Sequence, residues 1–275
     1  MARFSFAKMH GAGNDFVLID DRSLAFPCGD GGRVAALAAR RTGIGCEGVI
    51  LVQPSVAADF RMRFFNPDGT EADLCGNGAR CVAAFARDIG AVGADKMLFE
   101  TRAGMVAAEI EEPTRVRVSV PAPRLPSKDF CIAGVPHRIV PVGDVSRADV
   151  EGEGRRIRFS AEFAPQGTNV DFVEYSPPGR LSIRTYERGV EAESGACGTG
   201  AVSASVVGVA GYGLKFPVEV HTLHGYLLQV DGVFDGQNFS NITLSGPVKR
   251  VFSGVIDIDG LECGFAGSPR QSVCP

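Results

Sequence analysis

Short runs of alternating apolar and polar residues, separated by turns rich in glycine, proline and asparagine, run through the chain. Residues 3–9 alternate (Phe4, Phe6, Lys8) and predict a strand. The turn His10-Gly11-Ala12-Gly13-Asn14-Asp15 follows, and a second strand is expected over 16–19. The same signals predict strands at 49–52, 61–65, 97–101, 105–110 and 115–119. Beyond them come strands at 129–133, 137–142, 171–175, 181–186, 218–222, 226–230 and 241–244. Helices are predicted over 32–41, from Cys75 to near Gly90, and after Cys197. The prolines at 121, 123 and 126 predict a linker over 120–126, and 259–275 reads as a loose tail. Few segments have the spacing of strand–helix–strand units. The pattern therefore predicts an α/β (α+β) protein of curled, mostly antiparallel sheets, each around one helix of small residues.

One motif occurs twice. Cys75-Gly76-Asn77-Gly78-Ala79 and Cys197-Gly198-Thr199-Gly200-Ala201 each open a run of small and apolar residues. Upstream, 65–72 matches 186–192 with one residue gapped; downstream, 100–105 matches 221–226. A fainter match joins Gly13-Asn14-Asp15-Phe16-Val17 to Thr168-Asn169-Val170-Asp171-Phe172. A motif with matching flanks on both sides points to duplication into two similar halves. A cysteine at a glycine-rich helix start lies among unpaired backbone N–H groups and the positive end of the helix dipole. Such a place favours thiolate and anions. Two matched thiols facing each other across a pseudo-two-fold axis suit inversion at a carbon centre: one removes a proton and the other returns one from the far face. N–H groups at Gly76, Asn77, Gly198 and Thr199 would stabilise charge building on a substrate carboxylate.

Composition narrows the alternatives. With 275 residues, 45% of them hydrophobic, the chain can build two cores of ordinary size. A net charge of −4 with interspersed signs offers no basic face for nucleic acid. No apolar run approaches a membrane span and the N-terminus has no signal-peptide core, so a cytoplasmic protein is expected. The eight cysteines are scattered without a CxxC pair, their spacing with the four histidines matches no usual zinc set, and no metal is expected. Gly11-Ala12-Gly13 and Gly76-Asn77-Gly78 are each half of a dinucleotide fingerprint and lack its third glycine.

The motifs taken together resemble the diaminopimelate epimerase family. They are His10-Gly11-Ala12-Gly13-Asn14-Asp15-Phe16, Phe65-Asn66-Pro67-Asp68-Gly69-Thr70-Glu71, Cys75 to Cys81, Gly167-Thr168-Asn169, Tyr186-Glu187-Arg188-Gly189 and Ala196 to Ala201, in order over about residues 3–258. The resemblance implies two pseudo-symmetric domains. One covers 1–119 plus 247–258 and carries Cys75; the other covers 120–246 and carries Cys197. It implies reversible conversion of LL-2,6-diaminopimelate to the meso form without a cofactor, for lysine and cell-wall synthesis, and a homodimer. Carried over, Cys75 and Cys197 are the acid/base pair, with His137 and Glu187 influencing their protonation. Asn14 lines the reacting centre, Asn66, Asn169 and Arg188 hold the distal amino-acid end, and Glu187 could also take an ammonium. Gly48 and Val135 stand where enterobacterial-type members carry glutamine and asparagine. Two other readings stay open: a racemase for another amino acid on the same scaffold, and a metal- or thiol-binding protein.

Overall fold

The structure, a computed structural model, describes residues 3–261. In the first half the chain runs β1 (Arg3–Gly11), β2 (Asn14–Asp20), α1 (Gly31–Ala38), β3 (Gly48–Gln53), β4 (Phe60–Phe65), β5 (Glu71–Ala72), α2 (Gly76–Asp88), β6 (Lys96–Thr101), β7 (Gly104–Glu112) and β8 (Arg115–Ser119). It continues through β9 (Arg124–Ser127), β10 (Phe130–Ala133), β11 (Val135–Pro141), α3 (Val150–Arg158), β12 (Asn169–Ser176), β13 (Arg180–Glu187) and β14 (Ala192–Ser194). Then follow α4 (Gly198–Gly211), β15 (Val218–Thr222), β16 (Leu227–Phe234) and β17 (Phe239–Asp257).

Strand pairing closes one ring and curls a second sheet most of the way round. In the first, β1 and β2 are antiparallel, β3 is parallel to β2, β4 is antiparallel to β3, and β6 is parallel to β4. The antiparallel run β6–β7–β8 then reaches residues 243–247 of β17, and residues 248–257 of β17 return to β1. The second sheet repeats the scheme. A hairpin of β10 and β11 leads to parallel β12, antiparallel β13, parallel β15, and then β16 and the first third of β17. Most pairings are antiparallel, as expected, with four parallel ones across α1, α2, α3 and α4. The segment expected to be a linker is a structural member of the second sheet. Val120 N–H donates to the Ile242 carbonyl, and β9 pairs with β10. Its prolines suit strand edges, where a missing N–H costs no ladder bond.

The helices sit where composition allows. α2 is buried from Asn77 to Ala86 and α4 from Gly200 to Gly208, so each is enclosed all round by its sheet. Their Ala, Gly, Ser and Val side chains keep the enclosed cylinder narrow. α1 and α3 lie outside. Val34 and Leu37 cover Val17, Ile19, Val49 and Leu51, while Val150 covers Val170, Phe172 and Tyr186. Strands β2 and β3 are thus buried on both faces, which is why they read as continuous apolar runs, while β12 is buried from Asn169 to Val173 although its sequence mixes polar and apolar residues. α1 ends at Ala38, before the predicted 41, and the chain turns back so that Ile44 N–H meets the Leu37 carbonyl. α3 was not legible in the pattern. The tail expected over 259–275 lies outside the described residues from 262 onward.

The ring topology also corrects the faint repeat. β2 corresponds to β11 and β3 to β12, so Asn169, at the head of β12, is the counterpart of Gly48 rather than of Asn14.

Gly11 lets β1 touch the first turn of α2: an added Cβ would lie 2.8 Å from the Asn77 carbonyl oxygen and 3.3 Å from the Cys81 sulfur. Gly11→Ala should therefore lower unfolding free energy by about 1–3 kcal/mol, the usual range for overpacking. A denaturant titration that superimposes on the parent would disprove this contact.

Candidate active site

The two cysteines cap the two enclosed helices. Short strands β5 and β14, laid on β4 and β13, lead into them, and Cys75 and Cys197 both keep an extended backbone as N-cap residues. The helix starts meet. Asn77 Nδ2 donates to the Ala196 carbonyl at 3.1 Å, tying the first turn of α2 to the residue before Cys197. Leu244 of β17 lies against both glycines, with its Cδ2 3.5 Å from a Cβ placed on Gly76 and 3.1 Å from one on Gly198. A side chain at Gly198 would press on Leu244, whereas a Cβ at Gly76 would meet it at ordinary contact distance.

The surroundings of the two sulfurs differ. Cys197 Sγ lies 3.4 Å from Thr199 Oγ1 and accepts from Gly200 N–H at 3.4 Å. His137 of β11 is fully buried, with Nε2 3.0 Å from Thr199 Oγ1 and Nδ1 2.7 Å from Asp171 Oδ2. A carboxylate accepts, so His137 Nδ1–H donates to Asp171 and Nε2 faces the Thr199 hydroxyl. A proton path therefore runs from the Cys197 thiol through the Thr199 hydroxyl to His137 Nε2. Asp171 is held in turn by the Thr185 hydroxyl at 2.7 Å. Asn169 joins the cluster from its other side, with Nδ2 3.3 Å from His137 Nε2 and Oδ1 accepting the Arg188 backbone N–H at 2.7 Å.

Burial dominates the ionisation of both thiols. Loss of water pushes Cys75 up, opposed by the N–H groups of Gly78 and Asn77, with Glu187 adding to the rise and Arg80 opposing it. Cys197 is raised well above its ordinary value, first by burial and then by the negative charges of Glu187 and Asp171. The sequence expectation was a helix start that favours thiolate. The N–H groups act in that direction, but desolvation outweighs them. Burial also raises the carboxyl of Glu187, at the end of β13 and within electrostatic reach of both thiols. Cys81, wholly buried inside the first ring, is pushed up to about 12 and is core, as its position on α2 suggested.

The structure thus gathers Cys75, Gly76, Asn77, Cys197, Gly198, Thr199, His137, Asn169 and Glu187 about the two helix starts. Asn14 heads β2 with its Oδ1 buried and without a hydrogen-bond partner. The Arg188 guanidinium makes one long contact, 3.4 Å to the Gln166 carbonyl. Asn66, the counterpart of Glu187 at the end of β4, bonds Thr70 through its main chain and its carboxamide. Gly48 has no room for a side chain, since a Cβ there would lie 2.4 Å from the Phe64 ring. Asp171 is not singled out by the sequence, because β12 also carries Asn169, Glu174 and Ser176; its one pointer is that it lies two residues beyond Asn169 on the same face of the strand. Among the described residues, no group of three or more His, Cys, Asp or Glu side chains could hold a metal ion.

Two enclosed helices in paired curled sheets define the fold class. A phenazine biosynthesis protein of the PhzF family from Bacillus anthracis matches with a TM-score of 0.71 at 17% identity, covering 93% of this chain and 99% of that one. A hydroxyproline epimerase from Agrobacterium vitis matches at 0.68 and 17% identity, covering 93% and 91%. These likenesses show a shared fold. The sequence is more specific: a model of the diaminopimelate epimerase family matches residues 6–125 and 130–250. The diaminopimelate epimerase of Aquifex aeolicus is 40% identical over 280 residues, covering 94% of this chain and 99% of that protein. That of Chlorobaculum tepidum is 39% identical over 265 residues, covering 91% and 100%. The chain belongs to the diaminopimelate epimerase family.

Asp171→Ala should leave the buried His137 Nδ1–H and Thr185 hydroxyl without an acceptor, at a cost of about 1–3 kcal/mol for each group left unsatisfied. A melting temperature within error of the parent would show that Asp171 does not anchor this cluster.

Proposed function

We propose that this chain interconverts LL- and meso-2,6-diaminopimelate by removing a proton from one face of an α-carbon and returning one to the other. The observation that carries the reading is the meeting of two duplicated Cys-Gly-polar-Gly helix starts, each capped by a thiol. The α-carboxylate of the substrate sits between them on the N–H groups of Gly76, Asn77, Gly198 and Thr199, where the dipoles of both helices favour negative charge as the carbanion develops. One thiolate takes the α-proton and the opposite thiol gives up its own, so each turnover exchanges the protonation states of Cys75 and Cys197. The Thr199–His137 path gives Cys197 a route for resetting its proton. Glu187 and the unpartnered Asn14 oxygen accept from the ammonium at the reacting end. At the distal end Arg188, which has no ion pair among the described residues, grips the carboxylate as a fork, with Asn66 and Asn169 beside it.

The same reading places the reaction in lysine and peptidoglycan precursor synthesis, in the cytoplasm, with no added cofactor. It includes assembly as a homodimer. Val251, Phe252 and Val255, which are 57%, 48% and 62% exposed on β17, offer an apolar surface for a second copy.

In D₂O, with no pyridoxal phosphate added, the reduced protein should incorporate deuterium at the α-carbon of LL-diaminopimelate and of no simple amino acid. Cys75→Ala or Cys197→Ala should lower turnover by at least about 10²-fold, the low end for loss of a positioned acid or base. Exchange with another amino acid would keep the chemistry and change the substrate. No exchange at all, or stoichiometric bound metal, would sink the reading.

Because burial raises both thiols, kcat/KM should climb with pH on the alkaline side of neutrality as one thiol ionises, then fall once the second follows. A profile flat from neutral to alkaline pH would argue against a thiolate base.

A further inference from the structure

The two helix starts are sequence copies, yet opposite charges stand behind them. Behind Cys197 is the buried Asp171–His137 pair. Behind Cys75 is Arg80, at the position where α4 carries Val202. Arg80 is 0% exposed and lies inside the first ring. Its Nη2 donates to Asn77 Oδ1 at 2.7 Å and its Nη1 to the Gly76 carbonyl at 3.4 Å, while Nε is buried without a partner. Among the described residues no carboxylate pairs with it. The titratable groups acting on it are Cys81 and Cys75 of its own helix and, from β8, Arg115, which lies 3.7 Å from Glu111. Gly246 of β17 leaves room for the guanidinium, since a Cβ there would lie 3.2 Å from Nε. A buried cation without an acid is strongly disfavoured unless its field or its hydrogen bonds serve something else.

Its hydrogen bonds lead to the site. Arg80 occupies Asn77 Oδ1, which turns the carboxamide nitrogen toward the Ala196 carbonyl and thereby fixes the one bond between the helix starts. Its charge acts on Cys75 alongside the N–H groups of Gly78 and Asn77, the other titratable neighbours of that thiol being Glu187 and Cys81; Cys197 faces the negative Glu187 and Asp171. We infer that Arg80 is a positioning residue: through Asn77 it holds the two helix starts in register, and its unpaired charge makes Cys75, not Cys197, the thiol that ionises first. This rests on the reading of the two cysteines as the acid/base pair.

The test is alkylation of the substrate-free, full-length reduced protein by iodoacetamide from neutral to alkaline pH, with mass spectrometry scoring Cys75 and Cys197 separately. Parallel assays give kcat and KM for diaminopimelate. The parent should alkylate first at Cys75. Arg80→Met should raise the pH midpoint of Cys75 alkylation by about one unit, a tenfold loss of thiolate, and abolish the preference. Arg80→Lys should keep the order of alkylation but lower kcat with little change in KM, because a lysine cannot fork onto both Asn77 and Gly76. If Arg80→Met fails to fold, Arg80→Gln, which removes the charge and keeps a donor for Asn77, takes its place with the same alkylation outcome expected. Cys197 reacting first in the parent would overturn the inference. So would neutral variants with the parent's order of alkylation and kcat, or a lysine variant that loses the preference. Alkylation reads the thiols without turnover. If Cys75→Ala and Cys197→Ala both stayed active, the acid/base reading would fall while the order of alkylation still decided the role of Arg80.

Discussion

Two helices of this protein point their N-termini at one another, each from the middle of a curled sheet that encloses it. Each end carries the partial positive charge of unpaired N–H groups, so the arrangement is repulsive when nothing lies between them. It holds because the curled sheets enclose both helices all round and because Asn77 bridges to the Ala196 carbonyl. The price of that repulsion is returned when an anion enters, since a carboxylate between the ends is attracted to both. Much else in the site follows from this constraint. Gly76 and Gly198 keep the approach close, Leu244 seals it from one side, and the sulfurs, as cap residues, stand at its edges.

Symmetry of fold and asymmetry of chemistry coexist here. The duplicated frame sets two thiols in equivalent backbone positions. The residues behind them have diverged: threonine, histidine and aspartate on one side, asparagine and arginine on the other. A perfectly symmetric site would treat both thiols alike and leave their proton inventory undefined. In the proposed reaction, unequal surroundings allow one to be base while the other remains acid.

The strand pattern and the two enclosed helices were legible because alternation, turn residues and a flanked repeat are local signals. The residues that the fold gathers around the cysteines were approachable through the same repeat and the family motifs, and their roles are those of the proposed reaction. What escaped was set by tertiary burial. Over Asn169-Val170-Asp171-Phe172 the residues alternate, so Asp171 reads as an outward-facing polar position, although it points inward to His137 while Val170 and Phe172 face α3. α3 carries two glycines and five charged residues, and its apolar contact is little more than Val150 and Ile157, with Gly154 close beneath Tyr186. The prolines at 121, 123 and 126 looked like a linker because composition does not reveal that a neighbouring strand is waiting. The faint repeat misled by aligning Asn14 with Asn169, residues that head non-equivalent strands.

Strand β17 belongs to the ring and to the second sheet, and this bears on how the chain can fold as it is made. The first ring needs residues 248–257 to cover β1, and these follow every other strand in sequence. A growing chain can pair β1 through β8 early, but that sheet keeps an open edge until β17 arrives. The half synthesised first is therefore the half completed last. Its β1 edge faces the cell unpaired throughout elongation, a long-range closure of the kind that makes folding slow and exposed.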